Sequence, residues 1–365
     1  MKLAVVGVGL IGGSIALAAR QRLGATVSGF DPESANLERA LELKAIDSAA
    51  TDVATAVDGA EVVFCATPVG ALPDVVSAAL NATDEGAVVT DVGSTKRELV
   101  DELAASEHGQ RFIGGHPLAG AETAGVENAR AELLEGARWY LTPTDRSSGI
   151  LYDRLQRVIG GLGARPQAID AATHDRVMAT VSHLPHVIAN VLVREAALGL
   201  GGETERLPEV GTSFRDTTRV AGANPAIWGD IFATNRGAVV EGIEAVIDRL
   251  GEAAALIRAG DPGAVAAWHA AAGEDRRRLL EAGGPGGERR ELRIVVENRP
   301  GTVAEIALAL GREQVNIEDM ALQAAADMRT GAISIWVAGD AEADRAAATI
   351  RELGHTVTVV PGAGG

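Results

Sequence analysis

The chain has little cysteine and no long apolar run, and each shortage excludes a class of protein. Its single cysteine, Cys65, cannot form an internal disulfide, which favours a reducing compartment such as the cytoplasm. No apolar run reaches the roughly 18 residues that a membrane span needs. The formal charge of −17 argues against a nucleic-acid partner, whose phosphates require basic patches. We therefore expect neither a membrane nor a nucleic acid as a partner.

Glycine, by contrast, is abundant, and the first glycines follow a known spacing. The apolar run at 2–8 predicts a buried strand, and residues 15–23 have the composition of a helix. Between them, Gly7, Gly9 and Gly12 form a G-x-G-x-x-G motif. Its glycines permit a tight turn, a close approach of backbone to a pyrophosphate and close helix–strand packing. The pattern predicts a dinucleotide site at the helix N-terminus.

An acid in the right place predicts which dinucleotide binds. A second strand (25–30) ends at Asp31, about twenty residues beyond the third glycine. A carboxylate there accepts hydrogen bonds from the ribose hydroxyls and repels a 2′-phosphate, so we predict NAD rather than NADP. Thr67 and Pro68, which follow a third strand, lie on the same rim of the predicted sheet. The expected cofactor contacts are Gly7, Gly9, Leu10, Ile11, Gly12, Asp31, Thr67 and Pro68.

The alternation of strands and helices continues to about residue 166 and predicts an α/β Rossmann-type domain with a parallel, doubly wound sheet. Ligands of such sheets bind beyond the carboxyl ends of the strands. Ser94 and His116 each follow a predicted strand directly, His116 within the sequence GGHPLAG. We therefore expect the two residues and the cofactor to share one rim.

Residues 167–282 are rich in Ala, Leu, Glu and Arg and predict an all-α domain. Ser182 is interpreted as the cap of a new helix, with Pro185 in its first turn. His183 and His186 then share a face. A metal site is disfavoured because no third ligand lies nearby, so no metal is expected. Arg219 suits a substrate carboxylate, since guanidinium binds carboxylates through two hydrogen bonds, although a surface ion pair with Asp216 is an alternative.

Several motifs together resemble one family, the prephenate/arogenate dehydrogenases of tyrosine biosynthesis. In chain order they are GVGLIGGS, ATPV, DVGSTK, GGHPLAG-x-E, SHLPH, F-R-D-x-T-R-x-A and N-P-x-x-W. The resemblance implies oxidative decarboxylation, in which hydride passes to the nicotinamide, carbon dioxide leaves and the ring becomes aromatic. It implies a helical domain that forms a homodimer and contributes to the substrate site.

The resemblance also assigns roles to single residues. His116 accepts the proton of the ring hydroxyl, and Ser94 helps to hold His116 or that hydroxyl. Arg219 binds a substrate carboxylate. The other residues that would line the substrate pocket are His186, His183, Glu122 and Trp228, the last of which is otherwise interpreted as a core residue. Prephenate is the expected substrate, with arogenate as the alternative, because no residue decides between a keto and an amino side chain.

A glycine- and proline-containing linker (283–290) precedes a third predicted domain, 291–361. Its pattern is βαββαβ, a ferredoxin-like plan. The segment ENRPG-x-x-A-x-I followed by VNI resembles the ACT domain, a small amino-acid-binding module. Asn298, Pro300, Gly301 and Asn316 match its ligand-binding motif. The resemblance implies feedback inhibition by tyrosine, and a domain retained only for assembly is the alternative.

Two further interpretations stay open at this point. One is another NAD-dependent dehydrogenase of a small carboxylate, which would use the same fold and cleft. The other is a non-catalytic sensor that couples a dinucleotide domain to an amino-acid domain. A sensor has no need of a proton acceptor beside nicotinamide, so His116, His186 and Arg219 favour an enzyme.

Overall fold

The computed structural model describes residues 1–120, 123–200, 210–283, 289–297, 299–317, 319–324 and 330–360. The chain divides into two compact units, Met1–Glu252 and Ala253–Gly365. The first contains the dinucleotide motif and the residues predicted to bind substrate. The three-domain division of the sequence at residues 166, 282 and 290 remains a prediction.

Five parallel strands form the central sheet of the first unit in the order β3-β2-β1-β4-β5. The strands are β1 Lys2–Val6, β2 Thr26–Phe30, β3 Ser48–Ala49, β4 Val62–Cys65 and β5 Val88–Asp91. The helices are α1 Leu10–Leu23, α2 Ser34–Glu42, α3 Val53–Val57, α4 Leu72–Ala82 and α5 Arg97–Ala104. The predicted Rossmann-type topology is thereby confirmed.

The sheet is buried on both faces, which explains why β1 is apolar without alternation. Leu3 and Val5 pack into one core cluster, whereas Ala4 and Val6 pack into the cluster on the opposite face. Successive side chains of a strand point to opposite sides, so a run of apolar residues serves two cores at once. The rigid sheet fixes where each strand ends, and the predicted cofactor residues Gly7, Asp31 and Thr67 lie just beyond those ends.

The last strands of this region depart from the predicted parallel sheet. β6 Gly114–Pro117 pairs antiparallel with β7 Arg138–Thr142, and β7 pairs in parallel with β8 Arg165–Ala168. Between β6 and β7 the described chain makes only short 3₁₀ turns, whereas α6 (Gly149–Gly161) connects β7 to β8. A parallel pair needs a long crossover, usually a helix, and the β6–β7 connection has none.

One long helical segment replaces the helix start predicted at Ser182. α7 Ala171–Met178 continues through a π-helical turn, Ala179–His183, into α8 Leu184–Leu200. Pro185 lacks a backbone N–H and crowds the preceding turn, and a wider turn just before it accommodates both effects. The predicted cap at Ser182 is therefore wrong. His183 belongs to the π turn and His186 to α8.

Short helices follow, and then two long ones: α9 Thr212–Thr218, α10 Pro225–Thr234, α11 Arg236–Ala259 and α12 Pro262–Gly283. Asn224 caps α10 by accepting the Ala226 N–H at 3.0 Å, and Pro225 begins that helix. No helix in the described part of the chain is both long and apolar enough to cross a bilayer.

The second unit contains a four-stranded antiparallel sheet in the order β10-β11-β9-β12. Its elements are β9 Arg289–Glu297, α13 Thr302–Arg312, β10 Asp319–Ala324, β11 Thr330–Ala338, α14 Gly339–Glu352 and β12 Thr356–Val360. Ile294 and Ile335 of the sheet and Ile306 and Ile350 of the helices share one apolar core. The predicted βαββαβ plan is confirmed.

Candidate active site

The glycines of the first turn leave a cradle between β1 and α1. Gly7 has φ of +94°, and a Cβ there would meet the Ala66 carbonyl at 2.5 Å. A Cβ on Gly12 would collide with the Gly7 carbonyl. At Gly9, however, an added Cβ would meet no protein atom within 4 Å. Gly7 and Gly12 are thus required by the fold itself, whereas the open space at Gly9 fits a ligand that approaches the backbone.

The N-terminus of α1 faces this cradle without a capping side chain. Gly9 is its N-cap residue, Leu10 and Ile11 form its first turn, and that turn contains no acidic residue. The first N–H groups of a helix have no partner within the helix and carry partial positive charge. The cradle therefore suits the pyrophosphate of a dinucleotide.

Asp31 is held rigidly at the end of β2. Its Oδ2 accepts the Val8 N–H at 2.8 Å, and its Oδ1 accepts the Glu33 N–H and the Asn36 side-chain amide, each at 3.0 Å. The residue is only 8% exposed. Its carboxylate lies where a ribose is expected, and each oxygen has two lone pairs, so capacity for a further hydrogen bond remains.

The loop after β4 presents a buried hydroxyl with nothing to bond to. Within the described residues the Thr67 Oγ1 has no hydrogen-bond partner although it is buried. An unsatisfied buried polar group is costly unless a ligand completes it. Two residues beyond Pro68, the Gly70 N–H donates to the Asp230 Oδ2 of α10 at 3.2 Å. The residues present therefore fit a dinucleotide. The hydrogen bond from Gly70 to Asp230 ties the loop after β4 to α10.

His116 lies on β6 and is half-buried. Its Nδ1 is 2.9 Å from the Nε2 of His174, and the Nδ1 of His174 is 2.8 Å from the Asp175 Oδ1. Burial is the main cause that lowers the pKa of His116 well below its ordinary value, and repulsion by the protonated form of His174, by Lys96 and by the protonated form of His183 lowers it further. His116 is consequently a neutral imidazole near pH 7, which can accept a proton.

Asp175 is anchored by two backbone donors at the start of α5. The Lys96 N–H donates to its Oδ1 at 2.8 Å and the Arg97 N–H to its Oδ2 at 2.9 Å. The Asn235 amide donates to the Asp175 carbonyl at 2.8 Å and lies 3.1 Å from the His183 Nδ1. Asp175 thus joins α5, α7 and the residue that precedes α11.

His183 and His186 both contact Trp228 of α10. The His186 ring stacks on the indole with centroids 3.5 Å apart, and the His183 ring meets its edge at 5.9 Å. Burial is the main cause that lowers the pKa of His183 to about 4. The pKa of His186 is lowered by burial and then by the charge of Arg219, which places the exposed guanidinium near this ring. We call His183, His186 and Trp228 the histidine group. Neutral imidazoles with the Arg219 cation nearby make it suited to an anionic ligand.

Most of the predicted site residues therefore lie around two neighbouring features, the cradle and the histidine group. Ser94 is half-buried, and its predicted role, to hold His116 or the substrate hydroxyl, stays a prediction. Trp228 is half-buried and contacts the histidines, which differs from its interpretation as a core residue. Glu122 and Asn298 lie outside the described residues.

Four residues of the site escaped the sequence reasoning: Asp91, Lys96, His174 and Asp175. Signals existed, because His174 and Asp175 are adjacent in sequence and Lys96 is one of only three lysines. Within the part of the chain that the structure describes, no three His, Cys, Asp or Glu side chains form a group able to hold a metal ion.

In the second unit, Gly301 precedes α13 with φ of +93°, a conformation that favours glycine. Pro300 and Gly301 are exposed, and so is Asn316, which follows the helix. The buried Thr302 donates its hydroxyl to the Arg299 carbonyl at 3.1 Å, which fixes this loop. The three predicted effector residues that the structure describes are thus accessible at the two ends of α13.

Family models match three regions of the chain. Residues 15–167 match the prephenate dehydrogenase nucleotide-binding domain, and residues 170–269 match the prephenate dehydrogenase dimerization domain. The chain belongs to the prephenate dehydrogenase family. Residues 292–358 match an ACT domain of the type described as AHAS small subunit-like. The resemblance inferred from the motifs is confirmed in all three regions.

Known proteins agree with this membership. The chain is 30% identical to prephenate dehydrogenase of Bacillus subtilis over 350 residues, which covers 94% of the chain and 93% of that protein. It is similar to a prephenate dehydrogenase structure from Aquifex aeolicus in complex with hydroxyphenyl propionate and NAD⁺, with 30% identity and a TM-score of 0.70 over 76% of this chain and 98% of that one. The predicted NAD cofactor agrees with the NAD⁺ in that structure.

A second solved structure points to the alternative substrate. The chain is 28% identical to arogenate dehydrogenase from Synechocystis, with a TM-score of 0.65 over 76% of this chain and all of that one (100%). Both substrates therefore occur among proteins of similar fold and sequence.

Proposed function

We propose that the protein catalyses the NAD⁺-dependent oxidative decarboxylation of prephenate to 4-hydroxyphenylpyruvate. The observation that carries the proposal is His116, an imidazole on β6 whose Nδ1 is bonded to His174 and whose pKa is lowered by burial, so that it is neutral near pH 7. Family membership narrows the chemistry to this class of reaction. A binding-only protein would have no use for a base held in this way.

Each protein group has a part in the reaction. The bound dinucleotide supplies a nicotinamide that takes up hydride. The free nitrogen of His116 receives the hydroxyl proton as the carbinol carbon gains positive character. The Arg219 guanidinium, beside His186, binds a carboxylate of the substrate, and Ser94 donates to or accepts from the hydroxyl. The low-polarity surroundings that depress the pKa of His116 also strengthen these contacts.

The proposal is tested by assaying the full chain with prephenate and with arogenate, each with NAD⁺ and NADP⁺, while reduced cofactor and carbon dioxide are followed. We expect turnover with prephenate and preference for NAD⁺, because Asp31 repels a 2′-phosphate. His116→Asn should lower kcat about 10²–10⁴-fold and leave NAD⁺ affinity unchanged. Turnover of arogenate but not of prephenate would show that arogenate is the substrate. Absence of turnover with either compound would refute the proposed reaction.

We also propose that the protein is a homodimer. The matched dimerization domain supports this, as do large apolar side chains that the isolated chain leaves exposed on α8 and α11, among them Leu198 at 70% and Ile247 at 60%. Single exposed apolar residues are common, but rows of them on long helices favour an interface. Sedimentation equilibrium at micromolar concentration should give twice the chain mass, and a monomer would contradict the proposal.

Tyrosine is the proposed effector of the ACT domain, bound at the exposed loop that contains Pro300 and Gly301. Support comes from the matched ACT domain and from the fixed geometry of that loop. Millimolar tyrosine should lower activity and should bind in a direct calorimetric titration. Absence of both effects would indicate another amino acid or a role in assembly alone.

A further inference from the structure

We infer that His174 and Asp175 are positioning residues that fix the tautomer of His116 and make its Nε2 the basic nitrogen. The inference rests on the proposed function, in which His116 takes up the hydroxyl proton. It extends that function by naming what decides which of the two ring nitrogens is available. Neither residue is required to touch the substrate.

The direction of the hydrogen bonds is set at Asp175. Both carboxylate oxygens already accept backbone N–H groups, from Lys96 at 2.8 Å and from Arg97 at 2.9 Å. An ionised carboxylate can only accept, so the His174 Nδ1, 2.8 Å from Oδ1, must carry the hydrogen. In the neutral form of His174 the ring has one N–H, so its Nε2 is an acceptor.

The same argument from donors and acceptors assigns the hydrogen on His116. Its Nδ1 lies 2.9 Å from the accepting Nε2 of His174, so this Nδ1 carries the hydrogen. The opposite tautomer would bring two lone pairs face to face in the interior. The Nε2 of His116 is left with a lone pair, which is the arrangement that a proton acceptor needs.

Packing protects the arrangement from water. His174 is fully buried, and its ring meets the edges of both His116 and Tyr140, with centroid separations of 5.1 and 5.7 Å. An unmade hydrogen bond in such a place disfavours the wrong tautomer roughly 5- to 100-fold. Asp175 is also buried, and it lines a cavity of about 550 Å³ with Arg97, Arg176 and Asn235.

Nitrogen NMR of the ¹⁵N-histidine-labelled full chain tests the inference directly. The chain has seven histidines, and the spectrum of His116→Asn identifies the signals of His116. Near pH 7.5 we expect a protonated Nδ1 and an unprotonated Nε2. His174→Leu should move the proton to Nε2, whereas His174→Gln, whose carbonyl can accept from Nδ1, should keep it on Nδ1. Tyr140→Phe is the matched control, because it retains the neighbouring ring and should leave the signals unchanged.

Kinetics provide the second readout. His174→Leu should lower kcat about 10²–10³-fold and change the KM for substrate less than threefold. The kcat of His174→Gln should be at least tenfold higher than that of His174→Leu. A wild-type His116 protonated on Nε2, or a Leu variant with an unchanged tautomer, would overturn the inference. If His174→Leu does not fold, the wild-type and Gln spectra decide. A protonated Nδ1 in a protein that turns over neither substrate would uphold the positioning role and refute only the proposed function.

Discussion

Lys96 and Asp91 form an ion pair in which both side chains are wholly buried. The Asp91 Oδ1 also accepts the Gly115 N–H at 3.0 Å, and its Oδ2 accepts the Gly93 N–H at 2.8 Å. The carboxylate thus ties the end of β5 to β6 at the residue just before His116. Because a buried charge is stable only when it is paired and hydrogen-bonded, Lys96 and Asp91 stabilise each other in this place.

Replacement of Lys96 by Met should therefore destabilise the protein strongly. Removal of one partner of a buried pair costs about 3–5 kcal/mol, because the remaining charge is left uncompensated. The thermal unfolding midpoint of the first transition should fall by roughly 6–20 °C. Lys44→Met is the matched control, since Lys44 is exposed and its replacement should change the midpoint by no more than about 2 °C. Equal midpoints for the two variants would show that the pair contributes no net stability.

Gly9→Ala should weaken cofactor binding and leave the fold intact. An added Cβ at Gly9 meets no protein atom within 4 Å, and the backbone there is extended with a negative φ of −92°. The methyl group would instead occupy the space where a pyrophosphate approaches the backbone. We expect the Kd for NAD⁺ to rise tenfold or more in a fluorescence titration, with an unchanged unfolding midpoint. Gly86→Ala, another position without neighbours, should change neither quantity.

The pH dependence of activity follows from the lowered pKa of His116. Burial is the main cause, and His174, Lys96 and His183 add to it, so the neutral form persists below pH 6.5. A base acts only while it is unprotonated, hence kcat/KM should stay constant from pH 8 to 6.5 and decline only below that value. A pH–rate profile from pH 5 to 8.5 in one mixed buffer measures this. An acid limb centred at or above pH 6.5 would contradict the assignment, and residual activity of His116→Asn should lack that limb.

The sequence sufficed for the parts of the fold that rest on local pattern. The glycine spacing with Asp31 predicts the nucleotide cradle, and the succession of apolar strand segments and helical segments after the linker predicts the βαββαβ unit. The antiparallel return of β6 to β7 was missed because it depends on a connection that lacks a helix, whereas pattern reasoning assumed one. Ser182 with Pro185 in the following turn matches the pattern of a helix start, and the π turn that replaces it has no clear sequence signature.

The site was predictable only in part, for a related reason. His116 and Arg219 belong to motifs, but the role of His174 arises when α7 packs beside β6. Asp175 accepts the backbone N–H groups of Lys96 and Arg97, which lie 79 and 78 residues away in the chain. Such contacts depend on tertiary packing rather than on local spacing. Two adjacent titratable residues on a predicted helix are a weak signal until that packing is known.

The contact between Gly70 and Asp230 predicts that α10 influences cofactor binding. Asp230→Ala removes the acceptor of the Gly70 N–H, a single hydrogen bond at 3.2 Å. One such bond is worth about 0.5–1.5 kcal/mol, so the KM for NAD⁺ should rise roughly 2- to 10-fold as the loop after β4 loosens. The KM for substrate should change less, because Trp228, which is also on α10, keeps its stack with His186 of α8. Asp230→Asn keeps an acceptor and should behave as the wild type. A rise in the substrate KM equal to that for NAD⁺ would show instead that the whole helix had moved.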